Sequence, residues 1–304
     1  MLSMRATDTG WKFQTTRRHA AALLLWACFA VGGLVFSLVI FPGLLLLPIS
    51  TRLRRRYAMA LVHRCFAALV ASCRALGVMR FEFHNVETLR HLGRAIVIAN
   101  HPSYLDVVVL LALMPRACCI VTSRHWRNPL FAGIVRSAGY LRNDGGPSLV
   151  SASHASLADD VPLIVFPEGT RSPSRGRLGK FSRGFAHIAL AHRCPILPVL
   201  IDCDPPAYTK QHRWYSVSPQ RPTLHVRVLE TDIGTQSLGQ QGEAAGAHLN
   251  PIPQPSSKAT TPAHTDTGSA PTHGDVTPLA ARRLTAFAEH FFIDQISRHG
   301  FTRT

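Results

Sequence analysis

Apolar positions are distributed in three ways along the chain. Between Ala20 and Ile49, thirty residues pass without a charge, where a helix of roughly 20 apolar residues already crosses a bilayer core. Pro42-Gly43 divides the run. It therefore predicts either one tilted span ending near 42–48 or a bent helix that dips into one leaflet. A cleaved leader fits less well, because its apolar core is only about 7–15 residues long. Residues 57–77 then carry apolar side chains at helical spacing, with His63, Arg64 and Arg74 among them. That is the pattern of an amphipathic helix.

Beyond residue 80 the pattern changes to short apolar runs alternating with helical stretches. Strands are predicted at 95–100, 117–123, 162–166, 195–201 and 223–230, and helices at 103–114, 130–139 and 184–193. Strands alternating with helices of about ten residues define an α/β domain: a largely parallel, mixed sheet flanked by helices. Residues 236–278 are rich in Gly, Pro, Ser, Thr, Gln and Ala without a period and predict a disordered linker. The organisation expected is a basic tail at 1–19, a transmembrane or re-entrant segment at 20–49 and a basic amphipathic helix at 50–80. A catalytic α/β domain at 81–235, the linker at 236–278 and a terminal helix at 279–304 complete it.

Charge sharpens this picture. The 304 residues hold 33 Lys and Arg against 17 Asp and Glu, a formal charge of +16, so an anionic partner is expected. From Thr9 to Phe81 there is no acid and there are ten basic residues, gathered on both sides of the apolar run. Cations beside an apolar segment suit anionic lipid headgroups and argue against nucleic acid. If the segment spans, the run TRLRRR at 51–56 outweighs Lys12, Arg17 and Arg18, which predicts the inner (cytoplasmic) membrane with the main domain on its cytoplasmic face. The seven cysteines are scattered, so no disulfide framework is expected, and no CxxC pair exists to hold zinc.

Two strand ends carry the chemistry. In IVIANHPSYLD (96–106), His101 and Asp106 stand five apart. Inside one helix such positions diverge by about 140°, but Pro102 favours a helix start. His101 in the turn and Asp106 in the helix could therefore meet. A carboxylate on one imidazole nitrogen fixes the tautomer, and the other nitrogen can accept a hydroxyl proton. With 16 His and 17 acids the spacing alone is unspecific; His154 and Asp159 repeat it without a helix break and read as a solvated face. No Gly-x-Ser-x-Gly elbow is present, so a nucleophile would come from a substrate. In the second segment, 163–184, a strand stops at Phe166 and the turn Pro-Glu-Gly-Thr leads into Arg171, Arg175, Arg177, Lys180 and Arg183. Gly169, Thr170 and Arg171 suit a phosphate grip, and Glu168 could accept from a polyol hydroxyl. Arg142 in GYLRND could add a phosphate contact.

Together these segments resemble the 1-acylglycerol-3-phosphate (lysophosphatidic acid) acyltransferase family, the PlsC-like glycerolipid acyltransferases. Asn100, His101 and Asp106 match the family's first motif. Gly139 to Arg142 meets the second loosely. Phe166 to Ser172 matches the third without a substitution, with Lys180, Phe181 and Gly184 following, and Ile196 to Val199 matches the fourth. Order and spacing agree over about 57–230, while 236–278 lies outside the pattern. The resemblance implies acyl transfer from a thioester, acyl-CoA or acyl-carrier protein, to a lysophospholipid hydroxyl. His101 would be the general base and Asp106 its orienting partner. Arg171 would hold the acceptor phosphate, with Arg142 and Lys180 contributing and Glu168, Gly169 and Thr170 shaping the glycerol site. No metal or bound cofactor is implied. The stretch around 123–146 is also similar to acyltransferases of polyene-lipid and ornithine-lipid pathways, which leaves an acceptor without phosphate open. A catalytically inert lipid or carrier-binding scaffold is the remaining alternative.

Overall fold

The structure is a computed structural model that describes residues 2–144, 146–212, 216, 218–234 and 278–299, with side chains from Thr15 onward. Except for Pro278, the predicted linker lies outside these residues. The apolar run forms α1 (Leu2–Val35), a π-helical turn (Phe36–Ile40) and α2 (Phe41–Leu46) without interruption. The expected break at Pro42 is absorbed differently. Proline cannot donate its backbone N–H and its ring crowds the preceding turn, and the wider π turn just before it makes room. Helix α1 also extends through the segment expected as a tail.

After α3 (Thr51–Ala75) come β1 (Arg80–His84), α4 (Glu87–Arg90), β2 (Ile96–Ala99), α5 (Asp106–Leu113), β3 (Cys118–Val121), α6 (Ser123–Arg127), α7 (Pro129–Ser137) and β4 (Leu141–Arg142). Then follow α8 (Gly146–Ala158), β5 (Leu163–Val165), α9 (Gly184–His192), β6 (Ile196–Asp204), β7 (Thr223–Val228) and α10 (Pro278–Arg298). The seven strands form one sheet in the order β1-β7-β6-β2-β5-β3-β4. Every neighbouring pair is parallel except β6 with β7. The predicted mixed, largely parallel sheet is therefore observed. All four residues of central β2 are buried, as expected for a strand covered on both faces.

Helices α1, α3, α5 and α7 pack together as one group, and α8, α9 and α10 as another. Helix α1 is docked on the domain from Arg18 onward. Arg18 donates to the Pro219 carbonyl, Ala22 packs on Val78, and Trp26 meets Tyr208 edge-on at 6.0 Å. Phe29 lies 6.2 Å from Phe66 and 6.0 Å from Phe131. Ser37 Oγ accepts from the Gly133 N–H at 3.1 Å. From Arg18 to Phe29 these contacts recur every three or four residues, the spacing of one helical face. On the other face Leu23, Leu24, Val31, Leu34, Leu38 and Leu46 are exposed.

Candidate active site

Strand β2 ends against β6 through Asn100. Its side-chain amide donates to the Ile201 carbonyl at 2.7 Å and its carbonyl accepts from the Ile201 N–H at 2.8 Å. The chain then turns through His101 and Pro102, and α5 begins at Asp106. The break that the spacing required is present: His101 Nδ1 lies 2.8 Å from Asp106 Oδ2. The Ser103 N–H donates to the same oxygen at 2.7 Å. Asp106 is wholly buried. Burial pushes its carboxyl pKa up, and the hydrogen bond and charge of His101, the Ser103 N–H and the charge of Arg171 pull it back. Ionised Asp106 takes the Nδ1 proton in a hydrogen bond and leaves Nε2 able to accept one. The Phe166 ring lies 4.3 Å from the imidazole.

The segment after β5 is tied to the same turn. Glu168 Oε1 accepts from the His101 N–H at 3.0 Å and from Ser172 Oγ at 2.7 Å, and Oε2 accepts from the Gly179 N–H at 2.6 Å. The Ser172 N–H donates to the His101 carbonyl at 2.7 Å. Glu168 is thus buried and both its oxygens are engaged by the protein. It joins the two loops and is not among the residues lining the cavity. Burial raises its pKa, against the Ser172, Gly179 and His101 hydrogen bonds that lower it.

Arg171 leaves this loop toward the cavity. Its guanidinium lies 3.6 Å from the centre of the Tyr104 ring, close enough for a cation–π contact that fixes its plane. Nη1 donates to the Tyr208 carbonyl at 3.5 Å. His101, Gly169, Thr170 and Arg171 all line one cavity of about 790 Å³. Its walls are largely apolar and come from α1, α3, α5 and α7, including Leu25, Phe29, Phe66, Leu111 and Ile134. It opens at the carboxyl ends of β2, β3 and β5, the usual ligand crevice of a parallel sheet.

Two expected phosphate contacts are elsewhere. Arg142 is exposed and paired with Asp144 at 2.5 Å, because its strand is only two residues long and lies at the sheet edge. Lys180 is exposed and outside the cavity lining. Neither is brought to His101. In their place the cavity rim carries Arg124 and His125 from α6. His125 has its pKa lowered by burial first and then by the charges of Arg124 and His101. Their signal was present in the basic run SRHWR that follows β3. The stacking role of Tyr104 had none, since it depends on a contact 67 residues away along the chain.

An imidazole–carboxylate pair at a strand end faces an arginine across an apolar cavity, an arrangement that can take a proton from a hydroxyl beside a bound anion, and residues 80–202 match the protein family described as Acyltransferase. The chain is similar to that family over 123 of its 304 residues. The relatives are more particular. It is 36% identical over 116 residues to a 1-acyl-sn-glycerol-3-phosphate acyltransferase of Cocos nucifera, covering 36% of this chain and 37% of that one. It is 26% identical to the alpha form of Mus musculus, covering 70% and 77%. With the beta form of Homo sapiens it shares 27%, over 53% and 58%. The match thus spans from about a third to three quarters of these relatives. Among solved structures, the 1-acyl-sn-glycerophosphate acyltransferase PlsC of Thermotoga maritima has the same fold. Its TM-score is 0.56 at 21% identity, over 71% of this chain and 86% of that one. The family resemblance read from the four motifs thus stands.

Proposed function

We propose that the chain transfers a fatty acyl group from a thioester to the free hydroxyl of a lysophospholipid. The acceptor is 1-acylglycerol-3-phosphate and the product phosphatidic acid. One observation carries the reading: the Asp106-backed imidazole of His101 and the guanidinium of Arg171 open on the same apolar cavity. His101 Nε2 removes the acceptor's hydroxyl proton as the oxygen bonds to the thioester carbonyl carbon. Buried Asp106 stabilises the imidazolium without taking its proton. The tetrahedral oxyanion collapses, the C–S bond breaks, and the proton leaves His101 with the thiolate. Arg171 holds the acceptor phosphate in a charge-assisted contact, and the apolar walls take acyl chain. The donor is acyl-CoA or an acyl-carrier protein; both are anionic and suit the Arg124 guanidinium at the rim.

The reaction takes place at the cytoplasmic face of the membrane, where the exposed face of α1 meets lipid. The test uses the protein in lipid nanodiscs with lysophosphatidic acid and acyl-CoA or acyl-carrier protein, with products read by mass spectrometry. Wild type is expected to form phosphatidic acid. His101→Ala is expected to lower the rate by about 10²–10⁴ at equal protein level. Equal turnover in the two proteins, or acylation only of acceptors without phosphate, would overturn the corresponding part of the proposal.

A further inference from the structure

Across β6, β7 and β1 the register sets Asp202, His225 and Glu82 in one row. Residues two apart on a strand share a face, so His84 stands next to Glu82. Glu82 Oε2 lies 3.1 Å from His225 Nδ1. One ligand atom from each of Glu82, His84 and His225 lies within 4.8 Å of the other two. Asp202, at the inner end of the row, is taken by Arg175 at 2.8 Å. The outer three therefore face one another at the free edge of the sheet, since β1 is its terminal strand.

We propose that Glu82, His84 and His225 form a binding site for a divalent transition-metal cation of the Zn²⁺ type. Two imidazoles and one carboxylate are a donor set that favours such ions over Mg²⁺ or Ca²⁺, which prefer oxygen alone. Bonds of about 2.0–2.2 Å place tetrahedral ligand atoms roughly 3.3–3.5 Å apart. The Glu82–His225 contact already has nearly that span, and the His84 ring needs to close by no more than about 1.5 Å. Side-chain rotation supplies that at a half-exposed edge, and water completes the shell.

None of the three residues lines the cavity of His101, so the site is separate from acyl transfer. Its effect is mechanical. Strands β1 and β7 come from chain segments more than a hundred residues apart, and their pairing is parallel and at an edge. A shared cation joins them through side chains as well. Arg227, paired in register with His84, adds an opposing charge and keeps the affinity moderate.

Tag-free, full-length protein in detergent, stripped of metal with a chelator, is titrated with Zn²⁺ by calorimetry and with Co²⁺ by visible absorption. The expected result is one saturable equivalent per chain, with a rise in thermal midpoint on binding. His84→Ala and His225→Ala are each expected to weaken binding by at least about tenfold, with an unchanged midpoint in the metal-free state. His290→Ala, on α10, is expected to bind as wild type does. If an alanine variant fails to fold, Glu82→Gln with a shifted Co²⁺ spectrum supplies the same test. No saturable binding in wild type, equal binding in the His84 and His225 variants, or the same loss in His290→Ala would overturn the proposal.

Discussion

His101 and Asp106 share one hydrogen bond, yet their substitution is expected to show different signatures. Asp106→Asn keeps the shape but no longer enforces the tautomer with Nε2 free, so turnover falls by about 10²–10⁴. It also changes how stability depends on pH. Burial raises the folded Asp106 pKa above its ordinary 3.8. Between those values the folded chain holds a proton that the unfolded chain has released, so Asp106 contributes stability at the acid end that is lost as pH rises through the folded value. Asparagine cannot titrate there. The wild-type melting midpoint should therefore fall relative to that of Asp106→Asn as pH rises above 3.8; parallel curves would refute this. Arg171→Ala should raise the acceptor KM by about 10–100-fold, the worth of a charged hydrogen bond. Arg142→Ala and Lys180→Ala, outside the cavity, should leave it unchanged. Glu168 shows the limit of reading residues in a row. Its motif marks it for substrate, but its three donors come from His101, Ser172 and Gly179, and only the fold reveals that they converge. Glu168→Ala strands buried donors, at a cost of about 3 kcal/mol or roughly 6–12 °C in midpoint, without a selective change in acceptor KM.

At the scale of elements, legibility followed burial. Strands β2, β5 and β6 are covered on both faces, so their apolar runs were plain in the sequence. Strand β1 was missed because RFEFH alternates over only five residues, too few to distinguish from the end of the preceding helix. Helix α8 was missed because Ser, His and Ala carry little periodicity, and its buried Ser153 is satisfied by Val150 and His192 rather than by apolar packing. The basic run 51–56 was read as a headgroup cluster, yet Arg55 donates to the Ala138 and Gly139 carbonyls at the end of α7, and Arg52 pairs with Asp159. The contact between α7 and the π turn that follows α1 also depends on glycine. A Cβ on Gly133 would lie 2.3 Å from Ser37 Cα, which is backbone and cannot rotate away. Gly133→Ala should therefore destabilise by about 1–3 kcal/mol. Gly32, where a Cβ would meet nothing within 4 Å, is the control: Gly32→Ala should be neutral or stabilise by up to about 1 kcal/mol. A pair of equal midpoints would mean that the π turn and α7 do not approach so closely.

For the whole molecule, the packing of α1 bears on how the chain meets a membrane. By length and composition Thr15–Leu46 and Thr51–Ala75 could each cross a bilayer. Helix α3 is packed against α5, and α1 is held to the domain from Arg18 to Ser37. A transverse α1 would have to give up those contacts or carry the domain's polar surface into hydrocarbon. Burying polar groups without partners there costs several kcal/mol each. Lying in one leaflet, α1 keeps its contacts and still gives its outer stripe of Leu23, Leu24, Val31, Leu34 and Leu38 to lipid. The cavity mouth then opens at the depth where lysolipid and acyl chains reside. In sealed vesicles with the domain outside, single cysteines at Ser3 and Ser50 should both react with an impermeant maleimide added outside, and nitroxides at Leu24 and Leu38 should report similar shallow depths. Binding should survive about 1 M salt, where the Debye length is near 3 Å, because apolar area rather than the +16 charge holds the helix. Leu24→Asp with Leu38→Asp should release a folded protein whose activity on dispersed substrate persists. Labelling of Ser3 only after the vesicles are opened would mean that α1 crosses the bilayer and that its docked pose is not the membrane-bound one.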